Sequence, residues 1–331
     1  MIITRTPFRI SFFGGGTDFP AWYENNGGGA VLSTTINKYC YINCRCLPPF
    51  FDYKYRLNYS RQEQARGVDD IIHPSIRETL RFMEVDFGLS ISHDGDLPAM
   101  SGLASSSAFT VGLLHALYAL KGRIISKKRL ALEAIHIEQA MIKENVGSQD
   151  QVAAAFGGLN KIEFRSQHNI EVIPVTISRD AFQHFQEHFL LFFTGVTRSA
   201  SNIEEEKMER LEDKKTDYKT LMSMVNDAFA VLSGERDMVE FGRLLHETWK
   251  LKKSLSPKVS NPYIDTIYDT AKKNGAIGGK ILGAGGGGFM LFFVRPEKRK
   301  KVKEALHFLL HVPFRFDTLG SQIVYYAEEG L

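Results

Sequence analysis

Between Asp96 and Leu120 the chain reads DLPAMSGLASSSAFTVGLLHALYAL, and no other stretch restricts the fold as much. A tight Pro–Gly turn leaves a strand and feeds three serines directly into an apolar run of helical periodicity. The first-turn N–H groups of such a helix have no intrahelical acceptor, and the helix dipole adds positive potential at the same end. An anion is their natural partner. Gly102 lets the backbone come close to a ligand, and the hydroxyls of Ser105, Ser106 and Ser107 can bind phosphate oxygens or Mg²⁺. One side-chain oxygen is enough to cap a helix, so three serines point to a phosphate site.

Around this segment the first half mixes strands and helices. Residues 1–10 and 30–45 carry the β-branched and aromatic runs of strands, and helical periodicity covers 75–82, 105–120 and 127–144. From about 199 to 253 the chain is charge-rich and helix-patterned, broken at GERD. FMLFFV at 289–294 reads as a buried strand. A basic helix is expected over 296–310, with Val302, Leu306 and Leu309 on its inner face, followed by strands near 313–316 and 323–327. A boundary near residue 185 gives two domains, 1–185 and 186–331, and a chain of 331 residues can supply a core for each.

The net charge of +3 does not call for a nucleic-acid partner or a polybasic membrane anchor. No apolar run reaches the roughly 18 residues of a membrane span, and no secretory signal precedes Pro7. Cys40, Cys44 and Cys46 share one face of a strand and lack the second pair of ligands a metal site needs. They are expected to be buried free thiols, in keeping with a cytoplasmic location.

Two glycine-rich segments add to the site. KILGAGGGGFMLFF contains Gly283-x-Gly285-x-x-Gly288, but a strand pattern follows it where a dinucleotide fingerprint requires a helix. It reads as a flexible loop that lies against another backbone or a ligand, with Gly285 and Gly286 as substrate contacts. In TPFRISFFGGGTDFP a strand carrying Arg9 runs into Gly14, Gly15, Gly16, Thr17 and Asp18. N–H groups, a hydroxyl and a carboxylate in one loop suit a polyhydroxylated ligand, and they also suit a plain turn.

Two acids stand out. Glu138 lies on the apolar face of its helix, with Ala134, Ile135, Met141 and Ile142 as helical neighbours, so it needs a cationic partner, either Mg²⁺ or a basic side chain. Ser148 and Gln151 have capping-box spacing, which puts Asp150 in a first helical turn. There it can complement the dipole or act as a base in phosphoryl transfer, and the segment by itself favours the dipole role. HFQEH, residues 184–188, matches an inverted zinc-peptidase pattern but leads into a strand and has no third ligand.

In this order the motifs resemble those of the GHMP small-molecule kinases, over nearly the whole chain. The resemblance implies an α+β protein, a ribosomal-S5-like N-terminal domain packed on a ferredoxin-like C-terminal domain, with ATP between them. It makes Gly102, Leu103, Ala104, Ser105, Ser106 and Ser107 the phosphate loop, and Ser106 with Glu138 the Mg²⁺ ligands. It makes Asp150 the catalytic base and puts Arg9 near the transferred phosphate. Ala104 stands where the family usually has a third glycine. GGGTD replaces the Gly-Glu-His-Thr-Asp of galactokinases, which opens the sugar pocket.

The stretch from Arg5 to Ile42 is similar to the D-glycero-D-manno-heptose 7-phosphate kinases. That similarity implies phosphorylation of the anomeric hydroxyl of a small-molecule sugar phosphate, with Lys38, Arg198 and Lys280 as candidate contacts to its phosphate. A kinase of an unphosphorylated sugar, such as fucose or galactose, and a non-catalytic ATP or sugar sensor share the same motifs.

Overall fold

A computed structural model describes residues 1–196, 206, 210–234 and 236–327. Two sheets organise them. In the larger, β1 (Ile2–Phe13) pairs antiparallel with the 18-residue β2 (Gly29–Cys46), which is rich in β-branched and aromatic residues and free of proline. Beyond β2 come β5 (Leu89–Gly95), β3 (Tyr55–Asn58) and β4 (Gln62–Ala65), and only the β3–β5 pair is parallel. The first half of β2 pairs with β6 (Leu159–Ser166), which carries β7 (Asn169–Pro174). The Ser105–Leu120 helix lies on β1 and β2, and Gly112 permits a close approach: a Cβ there would sit 2.9 Å from Thr6 Oγ1.

The smaller sheet is fully antiparallel, in the order β11 (Leu310–His311), β8 (Phe189–Phe193), β10 (Phe289–Val294), β9 (Ala276–Ile281). The Val239–Leu255 helix packs on β9 against a bare backbone, since a Cβ on Gly278 would lie 2.0 Å from Gly242 O. Phenylalanines join the two sheets: the ring of Phe12 in β1 meets Phe185, Phe189, Phe241 and Phe316 within 5.2–6.3 Å.

The sequence places several of these elements but not the β3–β4 and β6–β7 hairpins or β9. The basic helix expected over 296–310 is shorter, a 3₁₀ turn at Pro296–Lys298 and a helix at Arg299–Ala305. Three further differences bear on the fold. The helix from Lys127 keeps α pitch only to His136 and then widens into a π turn, Ile137–Met141, which turns Ile137 and Glu138 into the core. Residue 185 falls inside the Arg179–Glu187 helix. The chain's last strands also leave the second sheet: β12 (Phe316–Asp317) pairs with β2 and β13 (Gln322–Tyr326) with β1. The consecutive division at 185 therefore does not follow the sheets at the C-terminal end, because β1 and β2 offer free edges that residues 316–326 complete. None of the three cysteines is in a disulfide, and Cys40 and Cys44 are buried.

Candidate active site

A cavity of about 830 Å³ opens between the sheets. Its floor is the start of the Ser105–Leu120 helix. The residue before that helix is Ala104, at φ +64° and ψ +36°, and no side chain caps the first turn. The serines therefore do not serve as caps, and the turn's N–H groups remain available to an anion. All three serines line the cavity, with Ser106 exposed and Ser107 buried.

Two neighbours hold this loop in place. The backbone N–H of Arg9 in β1 donates to Leu103 O at 3.1 Å, and Arg9 Nη1 donates to Gly102 O at 2.8 Å. From the other sheet the β9–β10 loop lies directly on it. A Cβ on Gly283 would fall 2.4 Å from Gly102 Cα, and one on Gly288 would fall 2.3 Å from Ser101 O. Only glycine permits this contact, and both Gly283 and Gly288 have positive φ.

Beside the loop, Arg9 is spent on Asp150. Its Nε donates to Oδ1 at 2.7 Å and its Nη2 to Oδ2 at 2.8 Å. Arg9 is buried, whereas a quarter of the Asp150 side chain is exposed to the cavity. Each carboxylate oxygen keeps lone-pair capacity after one such bond, so Asp150 can still accept a substrate hydroxyl.

Asp18 stands next to this pair, buried, with Oδ1 accepting from Gly16 N at 2.8 Å and Oδ2 from Gln149 N at 3.3 Å. Gly147 makes room for it, because a Cβ there would overlap the carboxylate. Burial, and then the charge of Asp150, push its pKa up to about 6.

The capping-box reading at Ser148 does not hold. The Ser148 side chain makes no cap bond; it meets Tyr23 Oη at 3.3 Å and accepts from Gln139 Nε2 at 3.1 Å. Gln151 turns instead to Glu138. That carboxylate takes Ser107 Oγ–H at 2.9 Å and the Gln151 amide on Oε2, while Oε1 is buried with no partner. Burial raises its pKa to about 7. No basic side chain among the described residues pairs with it. An orphaned buried oxygen beside a serine hydroxyl and a phosphate loop is the donor chemistry a hard divalent cation takes, completed by phosphate oxygens. Ser107 touches Glu138, while Ser106, expected with Glu138 as a Mg²⁺ ligand, is exposed at the cavity.

The other expected residues divide. Gly15, Gly16, Asp18 and Gly285 line the cavity. Thr17 is fully buried and donates to Gly14 O and Ala30 O, so Gly14 and Thr17 shape the loop from behind. Gly286 turns away, donating to Val259 O at 2.9 Å. Lys280 lines the cavity and donates to Phe12 O, Lys38 does not line it, and Arg198 lies outside the described residues.

The sequence reading missed an aromatic wall. His73 stacks on Phe109 with 4.8 Å between ring centres, Tyr59 meets His73 edge-on at 4.8 Å, and His93 meets Phe109 edge-on at 5.2 Å. It also missed Lys143 and Lys252. These residues come from separate elements, and nothing in their local patterns marks them. His184 sits on the Arg179–Glu187 helix and His188 is its C-cap, away from the cavity, and His188 stacks on Phe293.

Comparison with known proteins fits this geometry. The family models for the GHMP kinases N terminal domain and the GHMP kinases C terminal domain match residues 71–158 and 228–311. A D-glycero-alpha-D-manno-heptose 7-phosphate kinase of Campylobacter jejuni subsp. jejuni serotype O:2 is 32% identical over 92% of this chain and 93% of its own length. This chain belongs to the GHMP kinase family. A galactokinase of Pyrococcus furiosus is 25% identical over 92% of both chains. Among solved structures, a D-glycero-D-manno-heptose 1-phosphate kinase of Bacteroides thetaiotaomicron superposes with a TM-score of 0.81, covering 99% of this chain and 100% of that one at 24% identity. This GHMP kinase is therefore a sugar kinase with the mixed α/β fold of its family and ATP as phosphate donor. No helix among the described residues is long and apolar enough to cross a membrane.

Proposed function

We propose that this GHMP kinase transfers the γ-phosphoryl group of ATP to the anomeric hydroxyl of D-glycero-D-manno-heptose 7-phosphate, giving the 1,7-bisphosphate for nucleotide-activated heptose synthesis. The observation that carries the transfer is the Arg9–Asp150 pair beside an uncapped helix start. The choice of acceptor is supported by the similarity to the Campylobacter enzyme across almost its whole length and by the cavity space bordered by Gly15, Gly16 and Asp18.

In this reading the acceptor hydroxyl rests between Asp18 and Asp150. Asp150 takes its proton as the hydroxyl oxygen bonds to Pγ, and the Pγ–O bond to ADP breaks. Arg9 keeps Asp150 aimed and tethers the loop carrying Ser105–Ser107, whose N–H groups and hydroxyls hold the phosphates. The aromatic wall of Tyr59, His73, His93 and Phe109 is suited to hold the adenine against ring faces and edges. Glu138, with Ser107 or Ser106, would hold Mg²⁺. The ion would neutralise phosphate charge.

The test is ATP turnover against heptose 7-phosphate, heptose 1-phosphate, free heptose, galactose and fucose, with Asp150→Asn run alongside. Preferential use of the 7-phosphate is expected. Preference for the 1-phosphate or for a free sugar would overturn the acceptor. ATP binding without turnover of any acceptor would favour a sensor.

A further inference from the structure

Four cationic side chains line the cavity: Arg9, Lys143, Lys252 and Lys280. Three of them donate to the protein itself. Arg9 serves Asp150 and Gly102 O, Lys280 serves Phe12 O, and Lys252 serves Ile281 O and Gly283 O. Lys143 is exposed in the cavity and, among the described residues, meets no acceptor.

The backbone gives a second, independent reason to single out Lys143. It follows the π turn as the residue after the C-cap Ile142, and its φ is +64°. Helices commonly end in this way, with a residue in the left-handed region that is usually Gly and sometimes Asn, because a Cβ there is strained. The chain bears that strain with a lysine, five residues after Glu138 and seven before Asp150. Local folding gains nothing from a lysine at that spot, and strain of this kind gathers where a side chain is needed for function.

Building on the kinase reading of the cavity, we propose that Lys143 is a further phosphate-binding residue of the cleft. Its ammonium would meet a phosphate dianion between the metal end and the base end. Two sources fit that chemistry: the terminal phosphate of ATP and the phosphate of the sugar acceptor.

The experiment compares Lys143→Gly and Lys143→Arg with the wild type, using ATP and whichever acceptor the wild type turns over. Lys143→Gly is expected to unfold at no lower temperature, because glycine relieves the left-handed strain. It is also expected to raise one KM about tenfold, as for loss of one charge-assisted bond, with Lys143→Arg restoring part of the loss. A rise confined to ATP identifies the nucleotide phosphate, and a rise confined to the phosphorylated acceptor identifies the sugar phosphate. Unchanged KM values for both would overturn the proposal, as would a loss tracking a fall in melting temperature. A wrong acceptor assignment would show in the wild type alone, so the two failures are distinguishable.

Discussion

Arg9 donates to both carboxylate oxygens of Asp150, at 2.7 and 2.8 Å, while its third donor holds the phosphate loop through Gly102 O. The two side chains therefore act as one unit. Asp150→Asn is expected to lower kcat by roughly 10²–10⁴, the range for losing a general base, with little change in the affinity for ATP. Arg9→Lys cannot reproduce the fork and should lower kcat too. The double variant should be little worse than the poorer single variant. Steady-state kinetics on all four proteins checks this, and fully additive losses would show that the two act separately.

Asp18 makes stability depend on pH. Its folded pKa is raised from 3.8 to about 6, chiefly by burial. Between those values the folded chain holds a proton that the unfolded chain has released, so stability falls as pH rises through this window. The cost is absent below about pH 4 and complete above about pH 6. At 1.36 kcal/mol per pK unit it is on the order of 3 kcal/mol. Asp18→Asn should therefore stabilise the protein at pH 7, leave it unchanged at pH 3.5, and weaken sugar binding. Denaturant titrations at both pH values decide it; equal stabilisation at both would remove ionisation as the cause.

Ala104 has a left-handed backbone at the entrance to the phosphate-loop helix. A Cβ in that region costs roughly 1–2 kcal/mol, so Ala104→Gly should stabilise the protein by about 1 kcal/mol once glycine's unfolded-state entropy is counted. Catalysis should persist, since the same N–H groups still face the cavity. Melting temperature and the KM for ATP are the measurements. A destabilised Ala104→Gly would show that the alanine methyl packs usefully.

Glu138 presents a buried, unpartnered Oε1 beside Ser107. Glu138→Gln keeps the shape but removes the charge that a hard cation needs. The half-saturating Mg²⁺ concentration, read from velocity at fixed ATP, should rise about tenfold or more, one charge-assisted contact being worth roughly 1.5–3 kcal/mol. An unchanged Mg²⁺ dependence would take the metal away from Glu138.

The sequence by itself determined the elements whose signals are local. The serine-led helix, the strands around Arg9 and FMLFFV, the two glycine loops, and Glu138 as an acid out of place could all be read because periodicity, turn chemistry and charge on an apolar face act over a few residues. Tertiary structure decided what depends on contacts far apart in the chain. It turned Gln151 from a cap to Glu138, brought Ser107 onto that acid, set Gly283 on Gly102 at a distance only glycine allows, and brought residues 316–326 back to the first sheet. It also tied Arg9 to a carboxylate 141 residues away. Such pairings are fixed by which surfaces meet when the two sheets close around one core, and a local pattern carries no record of that meeting.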